Sequence, residues 1–247
     1  MNPTDSLIIP DWPLPANVRA LQTTRCGGVS IAPYHSLNLG DHVGDDPMSV
    51  ARNRMLLNRL MPSEPVWLEQ VHGIVVADAD RAGCRPVADA VVATRPGSVC
   101  VVMTADCLPV LLCDRQGTVV AAVHAGWRGL VSGVIEATVG KMAAAPENLI
   151  AWLGPAISQS AFEVGEEVHA AFVAAYPAAA AAFVPGQSGK YLADIYALAR
   201  LRLNALGIDR IYGGDRCTFA ESERFFSYRR DGVTGRQGTF IWLEHTV

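Results

Sequence analysis

Residues 101–128, VVMTADCLPVLLCDRQGTVVAAVHAGWR, constrain the fold of this chain more than any other stretch. They hold two strongly apolar runs of strand length, the first buried on both faces over part of its length. Thr104, Asp106 and Cys107 interrupt the first run and His124 the second, groups that apolar packing alone does not select. Pro109 implies a bulge, an edge or a strand end near Cys107. Polar groups inside the best strands mark a site. His72 sits in a similar setting in WLEQVHG, so His72, Cys107 and His124 form a candidate metal group.

Half of the 247 residues are hydrophobic and 18% are charged, the balance of a compact globular chain, and no repeat or linker divides it. A formal net charge of −4 gives no global attraction to nucleic acid or to an anionic membrane, so small-molecule partners are expected. The opening MNPTDSLIIPDWPLP lacks a basic, apolar leader, no later segment is long enough to span a bilayer, and a cytoplasmic location is expected. The six cysteines form no CxxC pair and are expected to be reduced thiols.

In chain order, residues 18–25 read as a strand delivering Arg25 to a Cys-Gly-Gly turn, where the alternative is a solvated arginine. His35 and His42 fall in a polar loop and are expected at the surface. Asp46 and Pro47 cap a helix reaching about Met61. Alternation over 65–72 predicts a strand with Val66, Leu68, Gln70 and His72 on one face. ADAVVAT, GTVVAAVHA and NLIAWL read as strands, a single helix follows Gly129, and GEEVHAAFVAA is another helix. Residues 190–206 read as an amphipathic helix closed by Gly207. RIYGG, DRCTF, RFFSYRR and TFIWLEH read as short strands, with RRDGVTGRQG as a turn.

Neutral imidazole and thiolate are good zinc ligands, and three of them leave a fourth tetrahedral position open. Zinc so held lowers the pKa of its water to about 7. The separations of 35 and 17 positions match no short zinc motif. The same residues also read as a Cys107 nucleophile with His124 as its base, or as a buried thiol and a hydrogen-bonded core histidine. Asp106 orients a histidine, accepts a proton or caps a turn. The glycine turn after His124 points N–H groups toward Arg128, which makes an anion site or a simple packing turn. SYRR brings charge to an anionic substrate or is a solvated hairpin.

The strings TRCGGVS, SLNLGDHVGD, VWLEQVHG, TADCLPVLL, AAVHAGWRG, WLGPAI, DRCTF and FFSYRRDGVTGR resemble the YfiH-like family, also labelled the laccase-domain or multicopper polyphenol oxidase family. The resemblance implies a single α/β (α+β) domain over 1–247, an α/β/β/α sandwich with mixed sheets, with 1–16 as an N-terminal extension. It implies zinc on His72, Cys107 and His124, and phosphorolysis of adenosine, inosine, guanosine and methylthioadenosine with adenosine deamination. Cys107, His124, Asp106 and Gln70 are then the catalytic candidates. Arg25, Asn38, Arg128 and Arg229 are the substrate-binding candidates, the arginines for phosphate. The expected partners are nucleoside and phosphate, with no nucleic acid, membrane or protein partner. The competing expectations are an amidase that removes serine from a muramoyl peptidoglycan precursor, a copper oxidase, for which six histidines are few, and a non-enzymatic zinc-stabilised binding protein.

Overall fold

Strand alternation sorts the apolar residues into three cores, and these define the layers. In β5 (Val99–Thr104), Val99, Val101 and Met103 face one core while Cys100 and Val102 face a second. In β6 (Leu108–Asp114), Leu111 and Cys113 share that second core, while Leu108, Val110 and Leu112 face a third. The stretch read as one long strand is therefore two strands in different sheets, and residues 105–107 cross between them. Asp106 makes the crossing with φ +99°, and Pro109 sits at the second position of β6, at a strand end. Thr104 ends β5 with its hydroxyl buried and without a partner among the described residues.

The structure, a computed structural model, describes residues 7–245. One sheet is antiparallel, with order β1 (Leu7–Ile8), β2 (Val18–Thr23), β13 (Gln237–Leu243), β5. The other is mixed, with order β12 (Ile211–Gly213), β8 (Leu149–Leu153), β6, β7 (Val120–Ala125), β4 (Ala90–Ala93), β3 (Val76–Asp78). The sheets pack face to face through Val18, Val91, Val102, Leu111, Ala122 and Ile241. Outside the first sheet, Leu57 of α1 (Pro47–Asn58) and Met61 cover Leu21, Val101 and Phe240. Outside the second lie α2 (Trp127–Ser132), α3 (Val134–Met142), α4 (Glu166–Ala175) and α5 (Ile195–Ala205). This is an α/β/β/α sandwich with mixed sheets. A small sheet of β9 (Glu163–Val164), β10 (Phe183–Pro185) and β11 (Tyr191–Ala193), and the single turn α6 (Tyr228–Asp231), complete it. No helix among the described residues is long and apolar enough to cross a membrane.

Local chemistry sets the boundaries. Asp46 accepts from the N–H groups of Met48 and Ser49 and starts α1 at Pro47, as read. The helix expected after Gly129 is instead two, because Gly133 at φ +97° ends α2 and begins α3. The helix expected over 190–206 begins only at Ile195, since Asp194 caps it through Ala197 N–H and 191–193 pair as β11. RFFSYRR is no strand: Ser227 caps α6 through Arg230 N–H. DRCTF forms only a bridge between Cys217 and Ala156.

Residues 65–72 are also not a regular strand. They run along the open edge of β5, bridging at Val66 to Cys100, and both ends of the Gln70 amide bond the Met103 main chain at 2.8 Å. That cover satisfies an edge which would otherwise offer unpaired groups. At the other end of the sheet, residues 7–16, expected as an extension, contribute β1 against β2. Residues 1–6 of that expected extension lie outside the described residues.

Candidate metal centre

The second sheet's register builds the site at one end. Ala90 lies opposite Val123, so one step further Asp89 lies opposite His124. Leu108 lies opposite Ala125, which sets Cys107 beside Gly126. The fully buried Asp89 accepts from His124 Nδ1 at 2.8 Å, leaving Nε2 to face the site. Its two oxygens also take the main-chain N–H groups of Val71, His72 and Gly73, at 3.2, 2.8 and 2.6 Å. One carboxylate thus holds both histidines. His72 is held at φ +61°, a left-handed conformation that costs about 1–2 kcal/mol and turns the chain out of strand geometry.

The ligand atoms of His72, Cys107 and His124 all lie within 4.8 Å of one another, and Cys107 Sγ is 3.8 Å from His72 Nε2. Bond lengths of about 2.3 Å to sulfur and 2.0–2.1 Å to nitrogen place tetrahedral ligands roughly 3.6 Å apart. The group therefore fits a metal. His124 is buried and His72 exposed, so one flank opens to solvent. The Asp89 hydrogen bond that fixes the His124 tautomer is the support expected behind a ligating imidazole.

Gly126 forms the wall. A Cβ there would lie 2.9 Å from the His72 ring and 3.0 Å from Cys107 Sγ. Its φ of −62° is open to any residue, so the requirement is space alone. Gly126→Ala is expected to lower bound metal on the order of tenfold while leaving the fold intact, since supporting changes of this kind cost 10–100-fold. Metal analysis at equal protein concentration and far-UV dichroism check both halves.

Burial opposes charge on the Cys107 thiol and on His124, but their mutual attraction wins. His124 and His72 bring the Cys107 thiol down to about 6, while Asp89 and Cys107 raise His124 to about 9. Without metal the two stand as thiolate and imidazolium between those values, and metal must displace the His124 proton. Metal binding is expected to release one proton from this pair between about pH 6 and 9 and two below that window. The apparent affinity then weakens about tenfold per pH unit on acidification from 9 toward 6. Calorimetry in buffers of different ionisation enthalpy measures the release.

The other residues singled out from the sequence sit around this group in distinct ways. Asp106 accepts from Thr218 Oγ1 at 2.6 Å and Arg229 N–H at 2.7 Å, tying the crossing turn to the 216–231 segment. Gln70 is engaged by Met103. Arg25 donates to the His35 and Ser222 carbonyls, and Arg229 to those of Ala161 and Glu163. Asn38 is fully buried and bonds Gly40, Asp45 and the Arg236 N–H. Arg128 is exposed, its guanidinium 4.4 Å above the Trp127 ring, with no acceptor among the described residues. His35 and His42 are exposed, as expected, and all six cysteines are free. An apolar cleft of about 660 Å³ between residues 7–16 and the first sheet shares no residue with the metal group.

Two residues escaped the sequence reading. Asp89 carried a usable signal, a lone acid at the mouth of the apolar run ADAVVA, an anomaly of the same kind as His124. Arg236 lay inside a stretch read as a turn.

A family described as multi-copper polyphenol oxidoreductase laccase matches residues 19–244, which include every group described above. The chain belongs to this YfiH-like family. A relative from Shigella flexneri named purine nucleoside phosphorylase YfiH is 58% identical over 96% of this chain and 98% of its own length. One from Pseudomonas aeruginosa named purine nucleoside phosphorylase PA4543 is 54% identical with the same coverage. The crystal structure of Neisseria meningitidis protein NMB0706 superimposes with TM-score 0.94 at 53% identity, covering 97% of this chain and all of that one. YlmD from Geobacillus stearothermophilus gives 0.85 at 31% identity over 93% of both chains.

Proposed function

We propose that this chain is a zinc-dependent purine nucleoside phosphorylase that also deaminates adenosine. The reading is carried by near-full-length identity to relatives named purine nucleoside phosphorylase, and the His-Cys-His group supports it. In phosphorolysis a phosphate oxygen bonds C1′ of the ribose as the C1′–N9 bond breaks. The base leaves with that electron pair and takes up a proton, giving ribose 1-phosphate. Adenosine, inosine, guanosine and methylthioadenosine are the proposed substrates.

Zinc bound by His72, Cys107 and His124 would supply a Lewis acid. Asp89 keeps His124 in one tautomer, and Gly126 leaves space beside the ligands. Asp106 and Gln70 position: one pins the crossing turn to the 216–231 segment, the other fixes the chain that carries His72. Arg25 and Asn38 shape the neighbouring loops, Arg229 is tied to the Ala161 and Glu163 carbonyls, and Arg128 stacks on Trp127 at the surface. Phosphorolysis needs positive charge because phosphate must be held against the sugar. A multicopper centre needs several donor clusters, whereas the described residues offer one group of three.

Metal-loaded protein incubated with adenosine is expected to give ribose 1-phosphate and adenine only when phosphate is added, and inosine without it, read by mass. Release of serine from a muramoyl precursor with no ribose 1-phosphate from any purine nucleoside would overturn the proposal.

A further inference from the structure

Arg236 stands within electrostatic reach of Cys107, at the edge of a group of arginines whose direct ion pairs are with the single carboxylate of Asp41. Arg236 immediately precedes β13, whose first residue, Gln237, lies opposite Thr104, so Arg236 stands level with the 105–107 crossing turn. It is clamped from both sides. Its N–H donates to Asn38 Oδ1 at 2.8 Å, its carbonyl accepts from Leu39 N–H at 3.1 Å, and its stem lies on Gly40. A Cβ at Gly40 would come 2.8 Å from Arg236 Cγ, so the glycine makes room for the side chain.

The guanidinium is only half used. Nη1 donates to the Thr234 and Gly235 carbonyls, each at 3.0 Å, whereas Nε and Nη2 have no acceptor among the described residues and are not sealed from solvent. That free edge is a preset two-pronged donor. Cys107 and Asp106 lie within its electrostatic reach, as do Tyr34 and Tyr228. His42 also feels it, and burial together with Arg236 holds His42 below its ordinary range. Beyond His42, the single carboxylate of Asp41 faces Arg85 at 3.1 Å and Arg54 at 3.6 Å. Counted by direct ion pairs, the three guanidinium groups of Arg236, Arg85 and Arg54 have one carboxylate between them, while Asp106 and Glu64 act on Arg236 and Arg54 only at longer range.

The arginines singled out from the sequence are placed less well for an oxyanion. Arg25 is committed through both Nε and Nη1 to main-chain carbonyls, and Arg229, which like Arg236 uses only Nη1, lies over the Phe162 ring between the Ala161 and Glu163 carbonyls. Arg128 is free but lies over Trp127 on the surface. We infer that Arg236, with Arg85 and Arg54 behind it, holds the oxyanion co-substrate, orthophosphate in the reading above, against the His72, Cys107 and His124 group. Asn38 then acts through Arg236 rather than on the substrate directly. The assignment rests on the phosphorolysis reading for the identity of the anion, but the anion site itself is testable without turnover.

The test titrates inorganic phosphate into metal-loaded protein and follows the broadening of its ³¹P resonance, alongside the KM for phosphate and for inosine. Arg236→Gln is expected to weaken phosphate binding and raise its KM at least about tenfold, with the KM for inosine within about twofold, since lost charge-assisted bonds act only on the anion. Arg236→Lys, which keeps the charge but not the fork, should fall between. Arg128→Gln should change phosphate binding less than about threefold. Should Arg236→Gln fail to fold, the lysine variant carries the test: a raised KM for phosphate at unchanged KM for inosine supports the assignment. Phosphate bound by Arg236→Gln as tightly as by the wild type, no phosphate binding by the wild type, or a loss confined to Arg128→Gln would each overturn it. Binding that depends on Arg236, in a protein that yields no ribose 1-phosphate, would instead leave the anion site standing and remove the phosphorylase reading.

Discussion

Cys107→Ala is expected to lose its metal and, together with it, nucleoside phosphorolysis, by on the order of 10³-fold or more. The reason is ligand count. With three protein ligands a tetrahedral site is already open at one position, and removing the only thiolate leaves two imidazoles that cannot define it. The variant should still fold. Cys107 is part of the crossing turn rather than of a packed core, and the turn keeps the Asp106 bonds to Thr218 and Arg229. The same variant, set beside chelated wild type, decides between the two chemistries open to this residue. If Cys107 is a ligand, stripping the metal from the wild type abolishes activity as the mutation does, and zinc restores only the wild type. If Cys107 is a nucleophile activated by His124, the stripped wild type stays active, because the thiolate and imidazolium pair persists without metal. Activity that survives chelation to a metal content below one-hundredth of a site would sink the metal reading.

What could be read from the residues alone divides along a physical line. Features encoded by neighbours in the chain were legible: the Asp46-Pro47 start of α1, the buried strands, and the polar groups that interrupt them. Features decided by distant partners were not. An unbroken apolar run does not tell one strand from two joined by a short crossing, and here the crossing sends Val101 and Leu111 into different cores. Helical spacing over 190–206 concealed β11, whose order depends on pairing with β9 and β10. The period-two pattern of 65–72 was real as far as Gln70. It failed at His72 because Asp89 draws three consecutive N–H groups to one carboxylate. Cys107 and His124 were conspicuous as polar groups among aliphatics, but Asp89, which holds His124 and the chain at His72, was visible only as a single acid before a strand. Arg236 gave no local signal, since its environment comes from residues nearly two hundred positions earlier.

Asp89→Ala should damage stability and metal binding together, which no other single change at this site is expected to do. The carboxylate is fully buried and takes four hydrogen bonds, from the His124 ring and the N–H groups of Val71, His72 and Gly73. Removing it leaves the histidine and three main-chain donors without their acceptor, and breaking a buried charged network of this kind costs about 3–5 kcal/mol. Nothing then holds His72 in its left-handed conformation, so one ligand relaxes away from the site while another loses its tautomer. A fall in metal affinity of about 10–100-fold follows from the His124 partner alone. Asp89→Asn separates the two roles, because an amide keeps the shape and one acceptor oxygen but neither the charge nor the second acceptor. It should fold with a smaller loss yet bind metal weakly. The wild type adds a pH signature. Burial would raise the Asp89 carboxyl, but His124 and the N–H groups of Gly73 and Val71 outweigh it and hold it below its ordinary value. A depressed carboxyl contributes fully above its unfolded pKa of about 4 and loses that contribution as pH falls through the lower folded value. Melting temperatures of metal-free protein should therefore drop more steeply below pH 4 in the wild type than in Asp89→Asn. Parallel acid limbs, together with wild-type metal content in Asp89→Asn, would mean that the charge on Asp89 does not organise the site.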